Sequence, residues 1–173
     1  MLKNCSVRKE KRVILADVML AKVARWLRLA GIAAKDVPEQ GDDAILRYTK
    51  STKATLLTSD VALSLRAKKR GIKALLVVQQ DLDGQLAYII SELRLRVQAD
   101  ASQTLCPGCG IKLRTAGPDF AENKGLPESI YSRYNEFYSC RKCGKLYWQG
   151  SHWRTIARRL SRVSELAVKN SSL

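Results

Sequence analysis

The sequence predicts an α/β protein: an open parallel sheet flanked by helices, followed by a small four-cysteine zinc ribbon and a basic C-terminal helix. Three observations lead there. Short, continuously apolar runs (ILA, TLL, ALLVV) alternate with helix-period segments over residues 13–97, the pattern of a parallel sheet covered on both faces. After a polar stretch, QADASQ, come two CxxC pairs, CPGCG and CRKCG. The chain then closes on HWRTIARRLSRV, in which Trp153, Ile156, Ala157, Leu160 and Val163 share one helical face.

Each element has its own signal. VILAD, Val13 to Asp17, reads as the first strand. In VMLAKVARWLRLAG the residues Leu20, Val23, Ala24, Leu27 and Ala30 recur at helical spacing, and Gly31 supplies the stop. IAAKDV returns extended until Pro38 and Gly41 break it. DDAILRYTKS then begins a second helix with acids in its first turn, where the helix dipole favours them. KATLLTSD is the next strand, VALSLRAKKRG the next helix and IKALLVV the strand after it. A helix from about Gly84 to Arg96 presents Leu86, Ile89, Ile90 and Leu93 on one face. The expected organisation is a basic arm at 1–12, the α/β domain at 13–97, the ribbon at 105–150, and a basic amphipathic helix and tail at 151–173.

Lys and Arg outnumber Asp and Glu by 31 to 16 in 173 residues, a net charge of +15. Such a field attracts polyanions, which makes nucleic acid the leading partner class. No run approaches the roughly 18 apolar residues of a membrane span. The start, MLKNCSVRKEKR, lacks the apolar core of a signal peptide, so a cytoplasmic protein with no membrane partner is expected.

Cys106, Cys109, Cys140 and Cys143 have the spacing of two metal knuckles, each followed by a glycine. Four thiolates leave no open coordination position, so the expected ion is a structural Zn²⁺. Paired disulfides or a redox CxxC are the competing readings, disfavoured in a cytosolic chain. The long interval between the pairs predicts an inserted loop at about 115–134. Cys5 is left over in the basic arm as a free thiol.

Two strands end on acids, Asp17 and Asp60. In an open parallel sheet, ligands bind beyond the carboxyl ends of the strands, near the point where strand order reverses. Asp42 and Asp43, at the start of the second helix, belong to the same edge. Carboxylates gathered there repel one another unless a cation neutralises them, and hard oxygen ligands select Mg²⁺ or Mn²⁺. The alternative is that each acid caps the helix after it. Asp81 and Asp83 either join this rim or cap a turn with Gly84. In a strongly basic protein a metal-carboxylate rim points to phosphodiester hydrolysis, with Arg25 and Arg28 placed to steer the nucleic-acid backbone.

Asp17, the helix LAKVARWLRLAG, the DDAILR start at Asp42 and LLTSD ending at Asp60 together resemble a PIN-type nuclease domain. The span from about Val13 to Leu160 resembles more closely the PIN-like ribonuclease family named after the C-terminal domain of the exonuclease mut-seven, which pairs a PIN core with a zinc ribbon. LYWQGSHW, Leu146 to Trp153, matches that family's ending. The resemblance implies a PIN-like fold with Asp17, Asp42 and Asp60 as metal ligands and Thr58 as the orienting hydroxyl of a TxD motif. It departs from the pattern where a further acid is usual, since Asp36 and Glu39 are what the chain offers, and at Ser59, where the family often has a basic residue.

The resulting expectation is a metal-dependent ribonuclease, endonucleolytic by resemblance. RNA, ribosomal RNA or the ribosome is the expected partner. Arg25, Arg28, Trp148, His152, Arg154, Arg158 and Arg159 are its candidate contacts. Aromatics beside cations suit unpaired bases, although a small ribbon also needs aromatic packing. His152 reads as polar packing or a phosphate contact rather than a general base. The competing class is a non-catalytic RNA-binding or ribosome-associated protein on the same fold.

Overall fold

A computed structural model describes residues 13–38 and 41–171; the basic arm with Cys5, and Glu39, lie outside that range. Four strands, β1 (Ile14–Ala16), β2 (Ala34–Asp36), β3 (Thr55–Thr58) and β4 (Ala74–Leu76), pair in parallel in the order β2-β1-β3-β4. Strand order therefore reverses between β1 and β3. Side chains alternate across the sheet as a pleated strand requires. Ile14, Ala16 and Leu57 point into one apolar layer, and Leu15 and Leu56 into the other.

The first layer is filled from α1 (Ala21–Leu29), α4 (Leu82–Glu92) and α7 (Ser151–Ser171). The second is filled from α2 (Asp42–Ser51) and α3 (Val61–Lys69). A single 3-10 turn, Val18–Leu20, precedes α1 because the Asp17 carboxylate caps the Val18 amide directly. The last core helix stops short of the expected Arg96. Arg94 adopts a left-handed φ of 48°, and the Leu95 amide closes onto the Ile90 carbonyl.

The second unit is a three-stranded antiparallel sheet, β5 (Arg114–Ala116), β6 (Phe137–Ser139) and β7 (Leu146–Trp148), in sequence order. The insertion predicted at 115–134 carries two short helices, α5 (Pro118–Asn123) and α6 (Glu128–Tyr131), between β5 and β6. The polar segment between the two units is fastened to the end of α1. Gln98 N bonds Ala30 O, Thr104 Oγ1 bonds Leu29 O, and Leu105 N bonds Arg28 O. These are carbonyls that a helix end cannot satisfy by itself.

Helix α7 joins both units. Trp153 packs against the ribbon cluster, whereas Leu160, Val163 and Ala167 are buried in the first core layer. Asp83 on α4 receives Arg159 Nε at 3.1 Å and Arg162, and the Arg159 guanidinium lies 4.9 Å over the Trp26 ring. Asp83 is thus a helix-helix clamp rather than a rim ligand, and Asp81 caps α4 through the Gly84 amide.

If α7 is an integral wall of the core, Leu160→Ala should destabilise the protein by about 2–5 kcal/mol in denaturant unfolding. Arg158→Ala, on the exposed face of the same helix, should stay within about 0.5 kcal/mol.

Candidate active site and metal centre

At the reversal point, Ala16 is in register with Leu57, so the residues that follow them face each other. Asp17 N donates to Leu57 O at 2.9 Å, which fixes the acid against β3. The buried Thr58 hydroxyl donates to Asp17 Oδ2 at 2.9 Å and accepts from the Asp60 amide at 3.0 Å. One hydroxyl thus links the two strand-end acids. Asp17 is 8% exposed, with Oδ1 on the Val18 amide; Asp60 is half-buried, with Oδ1 capping α3 through the Leu63 amide. Each acid is a helix cap, and a carboxylate oxygen has a second lone pair beyond its capping bond. The lip around them is apolar and exposed at Val18, Met19 and Val61.

Asp42 and Asp43 are held elsewhere. Arg66 on α3 bonds both, at 2.6 Å and 2.9 Å, and Arg70 reaches Asp43 at 2.7 Å. The hydrogen bond from Arg70 and the charge of Arg66 keep the Asp43 carboxyl below its usual range. Among the described residues, the cysteine cluster is the one group of three or more Cys, His, Asp or Glu whose ligand atoms all lie within 4.8 Å of one another. Asp42 therefore does not stand in so tight a set with Asp17 and Asp60. The pairing arginines sit four residues apart, Arg66 within α3 and Arg70 at its C-cap, a spacing that puts both on one side of the helix.

Arg28 is not a surface steering residue. It is 3% exposed. Its Nε donates to Ala34 O at 2.7 Å, Nη1 to Pro107 O at 2.9 Å, and Nη2 pairs with Asp36 at 2.8 Å. The guanidinium joins α1, β2 and the first cysteine knuckle. A sequence signal for this existed, because Arg28 stands four residues after Ala24 on the apolar face of α1. Asp36, a candidate for the further acid, is the partner of this latch. Arg159 is half-buried, paired with Asp83 and stacked over Trp26. Arg25, His152, Arg154 and Arg158 are exposed.

The four cysteines converge. Cys106 Sγ and Cys143 Sγ are 3.8 Å apart, matching the edge of about 3.8 Å that a tetrahedron with Zn–S bonds near 2.3 Å requires. The two knuckles repeat the same bonds: Cys109 N to Cys106 Sγ and Gly110 N to Cys106 O, then Cys143 N to Cys140 Sγ and Gly144 N to Cys140 O. Gly110 has φ 69°, and a Cβ there would sit 3.2 Å from both Ala34 O and Arg28 Nε, so glycine is needed for the turn and for the approach of the knuckle to the core.

Tyr147, which sequence reasoning assigned no metal role, has its hydroxyl 3.4 Å from Cys106 Sγ. Burial works to raise the Cys106 thiol, but bonds from Tyr147 and the Cys109 amide outweigh it and bring it down to about 6. Cys109 is pushed up to about 12, first by its bond with Cys143. Four thiols this close cannot all ionise unaided, and a dication resolves the conflict. The cluster fits a structural zinc.

A parallel sheet flanked by helices, with a four-thiol ribbon docked beside it, defines the class of the protein: an α/β domain joined to a zinc ribbon. The chain belongs to the Mut7-C RNAse domain family, whose family model matches residues 12–160. No curated protein and no solved structure matches it. Membership ties the function to RNA as substrate or partner. Among the described residues no helix is long and apolar enough to cross a membrane.

Purified protein should carry a single zinc, released as pH falls because protons compete for the thiolates; a chromogenic chelator reads the release, and Cys140→Ser should abolish the binding. Arg28→Ala should cost about 1–3 kcal/mol of unfolding free energy, because the buried Ala34 carbonyl and the half-buried Pro107 carbonyl lose their donor while the exposed Asp36 carboxylate stays in water. Arg28→Lys should be destabilising too, yet leave the salt slope of RNA binding unchanged, since the residue touches no phosphate.

Proposed function

We propose that the chain is a metal-dependent ribonuclease, endonucleolytic and cytoplasmic, acting at the edge where β1 and β3 end. The observation that carries this reading is the Thr58 hydroxyl bridging Asp17 and the Asp60 amide at the reversal point of the sheet. A hydroxyl spent on orienting the Asp17 carboxylate while holding the Asp60 backbone is more than helix capping needs, since each cap is already made by an amide.

In this reading Asp17 and Asp60 hold Mg²⁺ or Mn²⁺. Asp42 is the third ligand, with Asp43 beside it, once Arg66 exchanges its partner. Hard oxygen donors suit either ion. The bound ion supplies Lewis acidity toward water and toward a phosphate oxygen. The chain's own part is orientation and charge. Thr58 keeps Asp17 aimed from its buried position, the α3 cap keeps Asp60 beside it, and exposed Arg25, Arg154 and Arg158 draw the backbone in.

A second reading, a non-catalytic RNA-binding protein set on ribosomal RNA or the ribosome, draws on the neutralised state of Asp42 and Asp43. Two acids make a weaker metal site than three. Labelled RNA with single-stranded and hairpin segments separates the two readings. Cleavage should require Mg²⁺ or Mn²⁺ and fall at least about 100-fold in Asp17→Asn and in Asp60→Asn, with zinc content and RNA affinity retained. Tight binding without cutting by wild type, under every metal condition, would decide for the binder.

A further inference from the structure

A cleft of about 700 Å³ opens between the ribbon and the first turns of α7. That volume lies in the range of ligand-binding pockets. Aromatic side chains are among its walls: Trp148 on β7 and Tyr134 after α6 are both half-buried and both line it, with the Arg133 guanidinium 6.0 Å over the Tyr134 ring. Trp148 is braced from behind by Phe137, with ring centroids 6.3 Å apart and planes at 52°. A Cβ on Gly150 would come within 3.0 Å of Trp148 Nε1, so glycine at that position leaves room for the pyrrole edge of the indole beside the backbone. The mouth is cationic. Arg133, His152 and Arg154 are exposed there, and no carboxylate lines the cleft.

The cleft is separate from the acid rim. Its inner wall includes Leu29, at the end of α1 remote from Asp17, and that helix spans roughly 13 Å. A ligand reaching both places must be a chain. It must also offer flat apolar faces to the cleft and negative charge to its mouth. A duplex keeps its base faces inside the stack, whereas an unpaired nucleotide can present one to aromatic rings while its flanking phosphates meet arginine.

We propose that this cleft binds an unpaired nucleotide of the RNA, its base held by Trp148 and Tyr134 and its flanking phosphates by Arg133 and Arg154. The inference rests on RNA being the ligand and names the substrate class: a strand that is single-stranded on the ribbon side of the acid rim. Tyr134 and Arg133 come from the insertion between β5 and β6, so the insertion serves as the specificity element.

The test measures binding alone, by fluorescence anisotropy on full-length, zinc-loaded protein without added Mg²⁺ or Mn²⁺. Three probes of equal length are compared: a single-stranded RNA, the same sugar-phosphate strand without bases, and a duplex. The intact single strand should bind about tenfold more tightly than the abasic strand, and more tightly than the duplex. Tyr134→Ala should erase that preference, Tyr134→Phe should keep it, and zinc content should be unchanged in both. Arg133→Gln should lower the salt slope by about one. Equal affinity for intact and abasic strands, or an undiminished preference in Tyr134→Ala, overturns the proposal while RNA binding stands. Failure to bind any of the three probes removes the cleft proposal and the RNA reading together.

Discussion

The structure depends on a buried guanidinium. Arg28 leaves water almost completely, and a charge so placed is tolerable only when its donors are all used. They are engaged by two separate pieces of chain: the Ala34 carbonyl and Asp36 carboxylate of β2, and the Pro107 carbonyl of the first knuckle. The consequence reaches well beyond the latch. With the ribbon seated on the end of α1, the chain leaves β7 at a place from which α7 can run back along α4. Leu160, Val163 and Ala167 then complete a core layer begun more than a hundred residues earlier. The N-terminal sheet and the C-terminal helix are therefore one packing problem, with the zinc ribbon as the element that aligns them.

Charge is allotted within this frame in two ways. A chain with net charge +15 has few acids, and most of those in the described core are engaged. Asp36 neutralises Arg28, Asp42 and Asp43 meet Arg66 and Arg70, and Asp83 meets Arg159 and Arg162. Asp17 and Asp60 differ, because their partners are amides and a hydroxyl rather than cations. Asp81 also meets only an amide, and what sets Asp17 and Asp60 apart is their place at the reversal point of the sheet, joined through Thr58. The arginines divide correspondingly. Those facing acids hold elements together, and Arg25, Arg133, Arg154 and Arg158 remain at the surface, where a polyanion would meet them.

The proposed nucleotide cleft gives the insertion in the ribbon a role. Zinc needs only the knuckles and the short strands between them. The added segment that holds α5 and α6 brings Arg133 and Tyr134 against β7 and α7, building a wall that neither knuckle could provide. Tyr147 belongs to both neighbourhoods: its hydroxyl lies against Cys106 and its ring lines the cleft. Metal loss would thus disturb the cleft as well as the ribbon.

Local pattern by itself determined much of this protein. The period-3.6 and continuous apolar runs located every helix and strand of the core, with α2 legible to its last residue, because those periods follow from backbone geometry. The CxxC spacing likewise located the zinc ribbon, since two thiolates that close in sequence can face one ion. Strand endings drew attention to Asp17 and Asp60, and the Thr58 hydroxyl lies between them. Tertiary structure alone decided which acids meet which cations. Arg28 falls on the apolar face of α1 and Arg25 does not, yet only packing decided that Ala34, Asp36 and Pro107 would meet the buried guanidinium. Arg159 and Arg158 are adjacent, yet one is clamped by Asp83. Such pairings join residues tens of positions apart, and a long flexible side chain carries no local mark of the partner that packing will bring to it.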